Sequence, residues 1–380
     1  MSYKICIATS TRADWGILSP LAAALRDKDE VELQILATNM HLLDAYGHTV
    51  DEIIAGGFRV DAYVAMPDAT DGGAEARAEA MGVCLSGCAR AFDGLKPDAV
   101  VILGDRFEML AVASAAAVML IPIIHISGGE TTGGAIDDSI RHAITQLASL
   151  HLVSAEPYRR RVISMGKDPD TVINTGSLGV WNMVNQPCMS REELCSDLGF
   201  DSSEKFVVAT FHPATLDSVP PALRCRAMLA ALDRFPCLRI VLTYPNNDTG
   251  SQEIIREIEK WASQNPERVT LVKSLGLRRY LAAIRHAEAV IGNSSSGIIE
   301  VPAVGTPVVN IGIRQQGRLH GEGVIDCADD AEAIAEAIDK ALSEDFRRMA
   351  QTASNPYFAP DTLGKSVESI LRFTRTKSAR

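Results

Sequence analysis

Residues 99–130, AVVILGDRFEMLAVASAAAVMLIPIIHISGGE, contain the pattern that decides the fold of this chain. Two short runs rich in β-branched residues, 99–104 and 122–126, flank an alanine-rich stretch, and neither run alternates between polar and apolar residues. Such runs are typical of parallel strands buried on both faces, and the stretch between them is long enough for a crossover helix. The segment therefore predicts a right-handed βαβ unit.

The same alternation of short apolar runs and helical patterns continues along the rest of the chain. Segment 177–190, SLGVWNMVNQPCMS, interrupts it and is the best candidate for a linker. We therefore predict an α/β protein with two Rossmann-like, doubly wound parallel-sheet domains, residues 1–180 and 181–356, and a helix at about 357–373 that packs back on the first domain. The predicted strands are 4–9, 32–38, 62–66, 99–104, 122–126, 150–155, 172–176, 205–211, 239–244, 269–273, 289–293 and 307–312.

The composition excludes several classes of protein. Of the 380 residues, 47% are hydrophobic and 22% are charged, which is ordinary for a globular protein and unlike a disordered or coiled-coil chain. The net charge of −11 argues against nucleic acid or an anionic membrane as a partner, because both need basic patches. A small anionic ligand needs only a local cluster of donors, so the charge does not exclude one.

The sequence also bears on membrane insertion, compartment and metals. Residues 109–126 are nearly free of charge, but Pro122 interrupts them and no second such stretch exists. The N-terminal apolar run is too short for a signal peptide. The eight cysteines are scattered, and Cys84 and Cys88 lack the second pair that a zinc site needs. We therefore expect a cytoplasmic protein with reduced thiols, no metal and no membrane span.

Seven dense polar clusters follow directly after predicted strands. Ligands of open parallel sheets bind outside the carboxyl ends of the strands, so the clusters predict one large site in a cleft between the two domains. Loops are polar in any protein, but that explains poorly why His, Arg, Asp and Glu recur at these ends. The clusters are TSTRAD (9–14), GDRFE (104–108), SGGETTGG (127–134), HPAT (212–215), PNND (245–248), NSSSG (293–297) and GIRQQGR (312–318).

Several of these clusters suit a phosphate-bearing ligand. NSSSG opens a predicted helix, whose first N–H groups and dipole attract anions, although one serine there could simply cap the helix. Glu300, one turn later, could accept hydrogen bonds from ribose hydroxyls or be a solvated charge. Arginine's planar guanidinium suits a diphosphate, although each arginine alone is more often a surface or ion-pair residue. The arginines in these loops are Arg12, Arg106, Arg314 and Arg318. The chain has no GxGxxG after the first strand and no GxxxxGK[ST], which disfavours a nicotinamide site and a P-loop.

Carboxylates and a histidine form a second group of candidates. Asp105, Glu130 and Asp138 fall in the loops of the first domain, where carboxylates with different environments can divide acid and base roles. Asp138 shares one helix face with Arg141 and His142, although it could equally cap that helix. His212 ends the first strand of the second domain, directly before Pro213, and its imidazole could hydrogen-bond a phosphate or a sugar hydroxyl.

Taken together and in order, these motifs resemble the hydrolysing UDP-N-acetylglucosamine 2-epimerases of bacterial sialic-acid pathways. The resemblance covers roughly residues 4–320 and rests on TSTRADWG, GDRFE, HISGGETTGGAIDDSIRHAITQL, FHPAT, YPNND, GNSSSGIIE and NIGIRQQGR. It implies a glycosyltransferase-B-like fold and the conversion of UDP-N-acetylglucosamine and water to N-acetylmannosamine and UDP. The implied route is anti elimination of UDP to a 2-acetamidoglucal, followed by hydration, without a metal or redox cofactor. It also implies a homo-oligomer, either a dimer or a tetramer.

The resemblance and the motifs define two sets of candidate site residues. The catalytic candidates are Asp105, Glu130, Asp138 and His212. The candidates for binding the substrate and its UDP moiety are Arg12, Asp14, Arg106, Arg141, His142, Asn246, Ser294, Ser295, Gly297, Glu300, Arg314 and Arg318.

Departures from the family pattern leave alternatives open. Trp181 stands where relatives often have an acidic residue, so contacts to the sugar can differ. Non-hydrolysing epimerases usually begin TRPE, and TRAD at 11–14 favours the hydrolysing branch. The same chemistry on a UDP- or GDP-linked 2,4-diacetamido-2,4,6-trideoxy sugar, for legionaminic acid, is the nearest rival. A glycosyltransferase of the same fold and a nucleotide-sugar sensor without activity are more distant ones.

Overall fold

The chain folds into two compact units, each built on its own parallel sheet. The computed structural model describes residues 2–69, 73–133, 136–214, 218–246 and 248–378. Unit 1 comprises the chain up to Glu130, the segment Asp137–Trp181 and the C-terminal segment from Tyr357, and unit 2 comprises Thr131–Ile136 and Asn182–Pro356.

Unit 1 contains seven strands in one parallel sheet. The strands are β1 (Tyr3–Thr9), β2 (Val31–Thr38), β3 (Ala62–Val64), β4 (Ala99–Leu103), β5 (Ile123–Ile126), β6 (Leu150–Val153) and β7 (Val172–Asn174). Their order is β3-β2-β1-β4-β5-β6-β7. The order reverses between β1 and β4, which is the topological switch point near which ligands of doubly wound sheets bind.

The helices of unit 1 cover the sheet. They are α1 (Arg12–Arg26), α2 (Val50–Ala55), α3 (Gly73–Leu95), α4 (Phe107–Val118), α5 (Asp137–Leu147), α6 (Glu156–Ser164), α7 (Leu178–Asn185), whose last residues fall in unit 2, and the C-terminal α15 (Thr362–Ser378). Short 3₁₀ turns occupy Asn39–Leu42, Asp44–Tyr46 and Pro169–Thr171.

Burial of β1 on both faces explains its unbroken apolar sequence. Ile5 and Ile7 point into one hydrophobic core, whereas Cys6 and Ala8 point into the other. All four side chains are fully buried. Because alternate residues of a strand point to opposite faces, a strand covered on both sides must be apolar throughout. Each large apolar side chain buried in this way contributes about 1.5–3 kcal/mol of transfer free energy.

Unit 2 repeats this construction with six strands. The strands are β8 (Phe206–Thr210), β9 (Arg239–Thr243), β10 (Val269–Val272), β11 (Val290–Gly292), β12 (Val308–Ile311) and β13 (Val324–Cys327), in the order β10-β9-β8-β11-β12-β13. The helices are α8 (Arg191–Leu198), α9 (Pro221–Leu232), α10 (Ser251–Gln264), α11 (Gly276–His286), α12 (Ser295–Ile299), α13 (Ala331–Leu342) and α14 (Glu344–Thr352), with a 3₁₀ turn at Val301–Val304.

The prediction of two Rossmann-like parallel-sheet domains is confirmed. Along the chain, the two units meet between Trp181 and Asn182, within the predicted linker 177–190, and this segment is ordered, because Leu178–Asn185 is helical and Leu178, Val180 and Met183 are buried. Strand β13 was not predicted, since its sequence VIDC contains an aspartate and so lacks a continuous apolar run. The predicted C-terminal helix is observed at Thr362–Ser378, where Val367, Ile370 and Leu371 join the core that contains Ile5.

The apolar stretch at 109–126 is divided between α4 and β5. Among the described residues, no helix combines the length and the apolar character needed to cross a membrane. All eight cysteines are free thiols, and the sulfur atoms of Cys84 and Cys88 lie 4.0 Å apart in α3.

Candidate active site

The loop after β1 is held by a capping box at the start of α1. Thr11 is the N-cap residue, and its hydroxyl accepts a hydrogen bond from the Asp14 backbone N–H at 3.3 Å. The Asp14 carboxylate in turn accepts hydrogen bonds from the backbone N–H groups of Ser10, Thr11 and Trp15 at 2.7–3.0 Å. It also accepts from the hydroxyls of Ser10 and Thr11. With five donors around it, this carboxylate fixes the loop through its own residues.

Arg12 is the first residue of α1 and is half-buried. Burial lowers the pKa of its guanidinium, and the charge of Glu52 opposes that shift. Burial in turn raises the pKa of the Glu52 carboxyl, against the effect of Arg12. Arg12 is therefore a cation at the carboxyl end of β1 that is already partly removed from water.

Arg141 organises the charged side chains of unit 1. Its guanidinium is 1% exposed and forms an ion pair with Asp105, which follows β4. The same group donates to Asp138 Oδ1 at 3.3 Å and to the backbone carbonyl of Glu130 at 3.0 Å. One buried cation thus draws together the loops after β4 and β5 and the first turn of α5. The three predicted catalytic carboxylates therefore belong to one cluster, which we call the Arg141 cluster: Asp105, Glu130, Asp138 and Arg141.

Glu130 lies deeper than the other two carboxylates of this cluster. Its side chain is 2% exposed, and its Oε1 accepts a hydrogen bond from the Ser154 hydroxyl at 2.7 Å. Ser154 follows β6 and is itself buried. Sequence reasoning missed Ser154, although this polar residue lies near the end of the predicted strand 150–155, the kind of position at which the other polar clusters begin.

His142 and Arg106 lie at the margin of the cluster. The His142 Nε2 atom lies 3.6 Å from Asp138 Oδ2. Burial lowers the pKa of His142, and the Asp138 charge opposes this. Arg106 precedes α4 and pairs through Nε with Glu108 Oε1 at 2.5 Å, and the Glu108 side chain is fully buried. Glu108 therefore orients Arg106, a role that the GDRFE motif did not reveal by itself.

A buried histidine supports the turn that carries Asp105. His125 in β5 donates through Nε2 to the carbonyl of Gly104 at 2.8 Å, and its Nδ1 lies 3.2 Å from the Thr145 hydroxyl. Burial lowers the pKa of His125 to about 4, so the ring is neutral at pH 7. Gly104 has a φ of 77°, a left-handed conformation that favours glycine. The turn before Asp105 is thus fixed by a glycine and a neutral imidazole.

In unit 2, His212 is held at three points. The side chain of Asn293 accepts from the His212 backbone N–H at 2.7 Å and donates to its carbonyl at 2.8 Å. The backbone N–H of Asn246 donates to His212 Nδ1 at 3.1 Å. Because Nδ1 accepts a hydrogen bond, the proton of the neutral ring resides on Nε2. His212 therefore presents an N–H donor at Nε2, and Asn246 contacts it through the backbone.

The loop after β12 is tied to the loops after β8 and β11 through backbone carbonyls. Arg314 donates to the carbonyls of Pro213 at 3.2 Å and Asn293 at 3.0 Å. Gln315 also donates to the Asn293 carbonyl, at 2.9 Å. Arg318 donates to Gln315 Oε1 at 3.0 Å and to the Thr132 hydroxyl at 3.3 Å. Both arginines are at least nine-tenths buried, so part of their hydrogen-bonding capacity is used to build the loop.

The NSSSG segment forms a short turn of helix. Ser294 occupies the N-cap position of α12, but its hydroxyl makes no capping hydrogen bond, so the alternative of an ordinary serine cap is not observed. Ser295 opens the helix, and the Ser296 hydroxyl is hydrogen-bonded to the hydroxyl of Tyr280. A Cβ atom added at Gly297 would lie 3.2 Å from a methyl group of Val308, so this glycine allows α12 to pack against β12.

Two other predicted residues complete this part of unit 2. Asn246 donates through its side chain to Asp248 at 2.7 Å, and Asp248 lies 3.8 Å from Arg314. Glu300 follows α12 as its C-cap residue and is half-buried. Its charge raises the pKa of Tyr280, for which burial is the larger cause.

Each unit thus gathers its own predicted residues at one end of its sheet. Unit 1 holds Arg12, Asp14, Asp105, Arg106, Glu130, Asp138, Arg141 and His142, and unit 2 holds His212, Asn246, Ser294, Ser295, Gly297, Glu300, Arg314 and Arg318. Sequence reasoning missed Ser154, Asn293 and Gln315 as individual positions, although the last two fall inside quoted motifs. Within the described ranges, no group of three or more His, Cys, Asp or Glu side chains is arranged to hold a metal ion.

Comparisons with known proteins show which family the sequence matches. A family model described as UDP-N-acetylglucosamine 2-epimerase matches residues 23–371. The polysialic acid biosynthesis protein P7 of Escherichia coli is 36% identical over 377 residues, covering 99% of this chain and 95% of that protein. A Campylobacter jejuni protein named GDP/UDP-N,N'-diacetylbacillosamine 2-epimerase (hydrolyzing) is 36% identical over 345 residues, covering 91% and 89%.

Solved structures support the same fold. The crystal structure of the UDP-GlcNAc 2-epimerase from Neisseria meningitidis bound to UDP-GlcNAc matches with a TM-score of 0.77 at 16% identity, covering 97% of this chain and all of that one. This likeness confirms the predicted glycosyltransferase-B-like fold class, and the family follows from the sequence matches. The chain belongs to the UDP-N-acetylglucosamine 2-epimerase family.

Proposed function

We propose that this chain is a hydrolysing 2-epimerase that converts UDP-N-acetylglucosamine and water to N-acetylmannosamine and UDP, for the biosynthesis of a sialic-acid-type sugar. The observation that carries the proposal is the Arg141 cluster, in which one buried cation pairs with the carboxylates of Asp105 and Asp138 and holds the backbone carbonyl of Glu130, the third carboxylate residue. The names of the two relatives support it, since one includes polysialic acid biosynthesis and the other the hydrolysing reaction.

The chemistry explains why several carboxylates are needed. No carbonyl activates the proton on C2 of the sugar, so cleavage of the bond between C1 and the diphosphate oxygen must lead. The bonding pair leaves with UDP, and the developing positive charge at C1 makes the C2 proton acidic enough for a carboxylate to remove. A double bond then forms between C1 and C2. Water adds to C1 of this 2-acetamidoglucal, and a proton returns to C2 on the opposite face, giving the manno configuration.

We assign the proton transfers and the stabilisation of the developing cation to Asp105, Glu130 and Asp138. Arg141 and Ser154 orient these carboxylates, so that they meet the sugar in fixed positions. We also assign substrate contacts to Arg12 at the start of α1, Arg106 directly before α4 and His142 within α5, which all lie in the same unit. Asp14 shapes the loop that carries Arg12, because its carboxylate is occupied by five donors of its own loop.

In unit 2, we assign the diphosphate to cationic and neutral donors. His212 offers its Nε2 proton to the leaving phosphate, which stabilises negative charge as the C1–O bond breaks. Arg314, Arg318, Ser294 and Ser295 supply further donors. Glu300 accepts from ribose hydroxyls, and Asn246 and Gly297 shape the loops around the nucleotide.

One second candidate has an observation in its favour. The relative from C. jejuni is named for N,N'-diacetylbacillosamine linked to GDP or UDP, and it is as similar in identity as the E. coli protein. A 2,4-diacetamido-2,4,6-trideoxy sugar would undergo the same elimination and hydration. It would differ only at C4 and C6, away from the bonds that break.

Incubation in deuterated water separates these candidates. With UDP-N-acetylglucosamine, we expect free UDP and N-acetylmannosamine that carries deuterium at C2, detected by NMR and mass spectrometry. Accumulation of UDP-N-acetylmannosamine would instead indicate a non-hydrolysing epimerase. Turnover of the UDP- or GDP-linked diacetamido sugar alone would select the second candidate. UDP release that requires an acceptor sugar would indicate a glycosyltransferase and overturn the proposal.

A further inference from the structure

The backbone of His212 needs hydrogen-bonding partners that its own strand does not provide. Strand β8 ends at Thr210, and the next residue after His212 is Pro213, which has no N–H group. Yet both polar backbone groups of His212 are satisfied by a single side chain. Asn293 Oδ1 accepts from the His212 N–H at 2.7 Å, and Asn293 Nδ2 donates to the His212 carbonyl at 2.8 Å.

The position of Asn293 follows from the glycine before it. Strand β11 runs parallel to β8, with Gly292 opposite Thr210 as the last pair of the ladder. Gly292 has a φ of 141°, and a Cβ atom there would lie 1.8 Å from the Thr210 carbonyl oxygen. Only glycine allows this approach. The carboxamide of Asn293, which has one donor and one acceptor side like a peptide group, then extends the pairing beyond the ends of the two strands.

This arrangement also determines which way the His212 ring faces. The backbone of His212 is fixed by Asn293, and its Nδ1 is fixed by the backbone N–H of Asn246 at 3.1 Å. With both constraints in place, the ring keeps one tautomer and one direction, with the proton on Nε2. Asn293 is 2% exposed, so water does not compete for its side chain.

We propose that Asn293 is a positioning residue for the reaction, which acts by holding His212 so that its Nε2 proton meets the leaving phosphate. The proposal rests on the proposed function, because it takes the role of His212 from there. It assigns the asparagine of the NSSSG motif to His212 and leaves contact with the anion to the serines that follow it. The orientation of an acid group matters because a displacement of about 1 Å can cost about 100-fold in rate.

The structure separates this role from binding of the nucleotide. Arg314 and Gln315 both donate to Asn293, but to its backbone carbonyl, which every substitution retains. Changes in the Asn293 side chain therefore act on His212 and leave the Arg314 anchor in place. A change at Gln315 has the opposite character. It removes one of the two donors to the Asn293 carbonyl and the acceptor for Arg318, but it leaves the hydrogen bonds between the Asn293 side chain and His212 in place.

Four variants test the proposal by steady-state kinetics and UDP titration. For Asn293→Ala we expect kcat to fall about 10- to 100-fold, while the Kd for UDP stays within about 3-fold. Asn293→Asp keeps an acceptor for the His212 N–H but sets a second oxygen against its carbonyl, so kcat should fall at least as far. For Gln315→Ala we expect the reverse, a weaker Kd with kcat changed less than about 3-fold.

Asn310→Ala is the matched control. Asn310 is also buried, in the neighbouring strand β12, and its side chain donates to Asp326 at 2.7 Å and not to His212. It should keep kcat within about 3-fold and lose less thermal stability than Asn293→Ala, because it loses one hydrogen bond instead of two. If Asn310→Ala lowers kcat as much as Asn293→Ala, the effect is general loss of packing and the proposal is wrong.

NMR of ¹⁵N-labelled histidine tests the positioning without any turnover. In the wild type, the His212 signal, assigned by its loss in His212→Gln, should show Nδ1 as an acceptor and Nε2 as protonated. In Asn293→Ala and Asn293→Asp, we expect a mixture of tautomers. An unchanged tautomer together with a large loss of kcat would overturn the proposal, because Asn293 would then act on substrate directly. If the wild type turns over no nucleotide sugar but the tautomers still mix in the variants, only the proposed function fails.

Discussion

The two units hold their candidate site residues by different kinds of bond. In unit 1, charged side chains hold one another, with Arg141 joined to Asp105 and Asp138. In unit 2, side chains hold backbone groups, as Asn293 does for His212 and as Arg314 does for the Asn293 carbonyl. Both sheets are parallel and both sets of residues follow the strands, so the difference comes from the segments after the strands, which in unit 1 include helix α5.

The two kinds of bond make the two regions sensitive to different substitutions. A buried ion-paired cluster depends on charge, because removal of one partner leaves the other uncompensated in a region of low dielectric. A set of side-chain hydrogen bonds to backbone groups depends on shape, because each bond contributes only about 1 kcal/mol but fixes a direction. We therefore expect substitutions that remove a charge but keep the shape of the side chain to have large effects in unit 1. In unit 2, substitutions that change the length of a side chain should matter more.

The largest effect is expected from neutralising a carboxylate of the Arg141 cluster. Asp105→Asn and Glu130→Gln keep the shape of each side chain but remove its basicity, so product formation should fall by more than about 1,000-fold. UDP should still bind with about wild-type affinity in calorimetry. Glu156→Gln is the control, since its carboxylate lies half-exposed in the first turn of α6 and should leave the rate unchanged. Near-normal rates in both Asp105→Asn and Glu130→Gln would reject the catalytic assignment.

The next largest effect tests whether the cluster also stabilises the fold. Arg141→Met removes a cation that is 1% exposed and leaves Asp105 and the Glu130 carbonyl without it. We expect the free energy of unfolding to drop by about 3–5 kcal/mol in urea titrations. Arg279→Met, which breaks the exposed pair with Asp197, should cost less than about 1 kcal/mol. Equal losses in the two variants would contradict the contrast between buried and exposed pairs.

Two histidines, the buried His151 and the exposed His320, predict opposite responses to acid in the two units. Burial lowers the pKa of His151 in β6 to about 3, and neither ring nitrogen has a hydrogen-bond partner among the residues that the structure describes. Because the unfolded chain takes up a proton below pH 6.5 and the folded ring does not, stability should decrease as pH falls from 6.5 towards 3. His320 in unit 2 has a raised pKa, chiefly through its hydrogen bond to Asp326, and stabilises the fold at low pH.

His151→Met tests the first of these responses. Methionine fills irregular space without a titrating group. Between pH 7 and pH 5, the free energy of unfolding of this variant should therefore fall by about 2 kcal/mol less than that of the wild type. His320→Gln should be less stable than the wild type at low pH. This difference in the free energy of unfolding should disappear as pH rises through the pKa of His320. Urea titrations at both pH values measure the free energy of unfolding of each variant. If His151→Met has the same pH dependence as the wild type, the His151 ring is not buried in its neutral form.

The smallest effect is expected from a change of shape without a change of charge in unit 2. Arg314→Lys retains one positive charge but cannot reach the carbonyls of Pro213 and Asn293 together. We expect UDP affinity to weaken about 10-fold, or about 1.4 kcal/mol, in calorimetric titrations. The exposed Arg348→Lys serves as the control and should bind UDP normally. An unaltered affinity in Arg314→Lys would show that charge alone suffices in unit 2.

The strand pattern predicted most of the fold because buried parallel strands need continuous apolar sequence. β1 is an example, since its alternate residues enter two different cores. β13 escaped prediction because its sequence VIDC contains an aspartate and so lacks a continuous apolar run. The segment at 177–190 contains the boundary between the units, but its glycine, asparagines and proline did not reveal the helix Leu178–Asn185, which burial of Leu178, Val180 and Met183 stabilises.

The sequence by itself determined where polar chemistry is concentrated, because parallel topology directs the loops after all strands of a sheet to one edge. Only the tertiary structure decided what each polar residue does there. Asp14 is consumed by its own loop, Arg141 becomes the centre of a carboxylate cluster, and Asn293 holds a histidine 81 positions away in sequence. Motifs do not encode these partners, since a side chain's role depends on which donors and acceptors the fold places within 3 Å of it, and those come from distant loops.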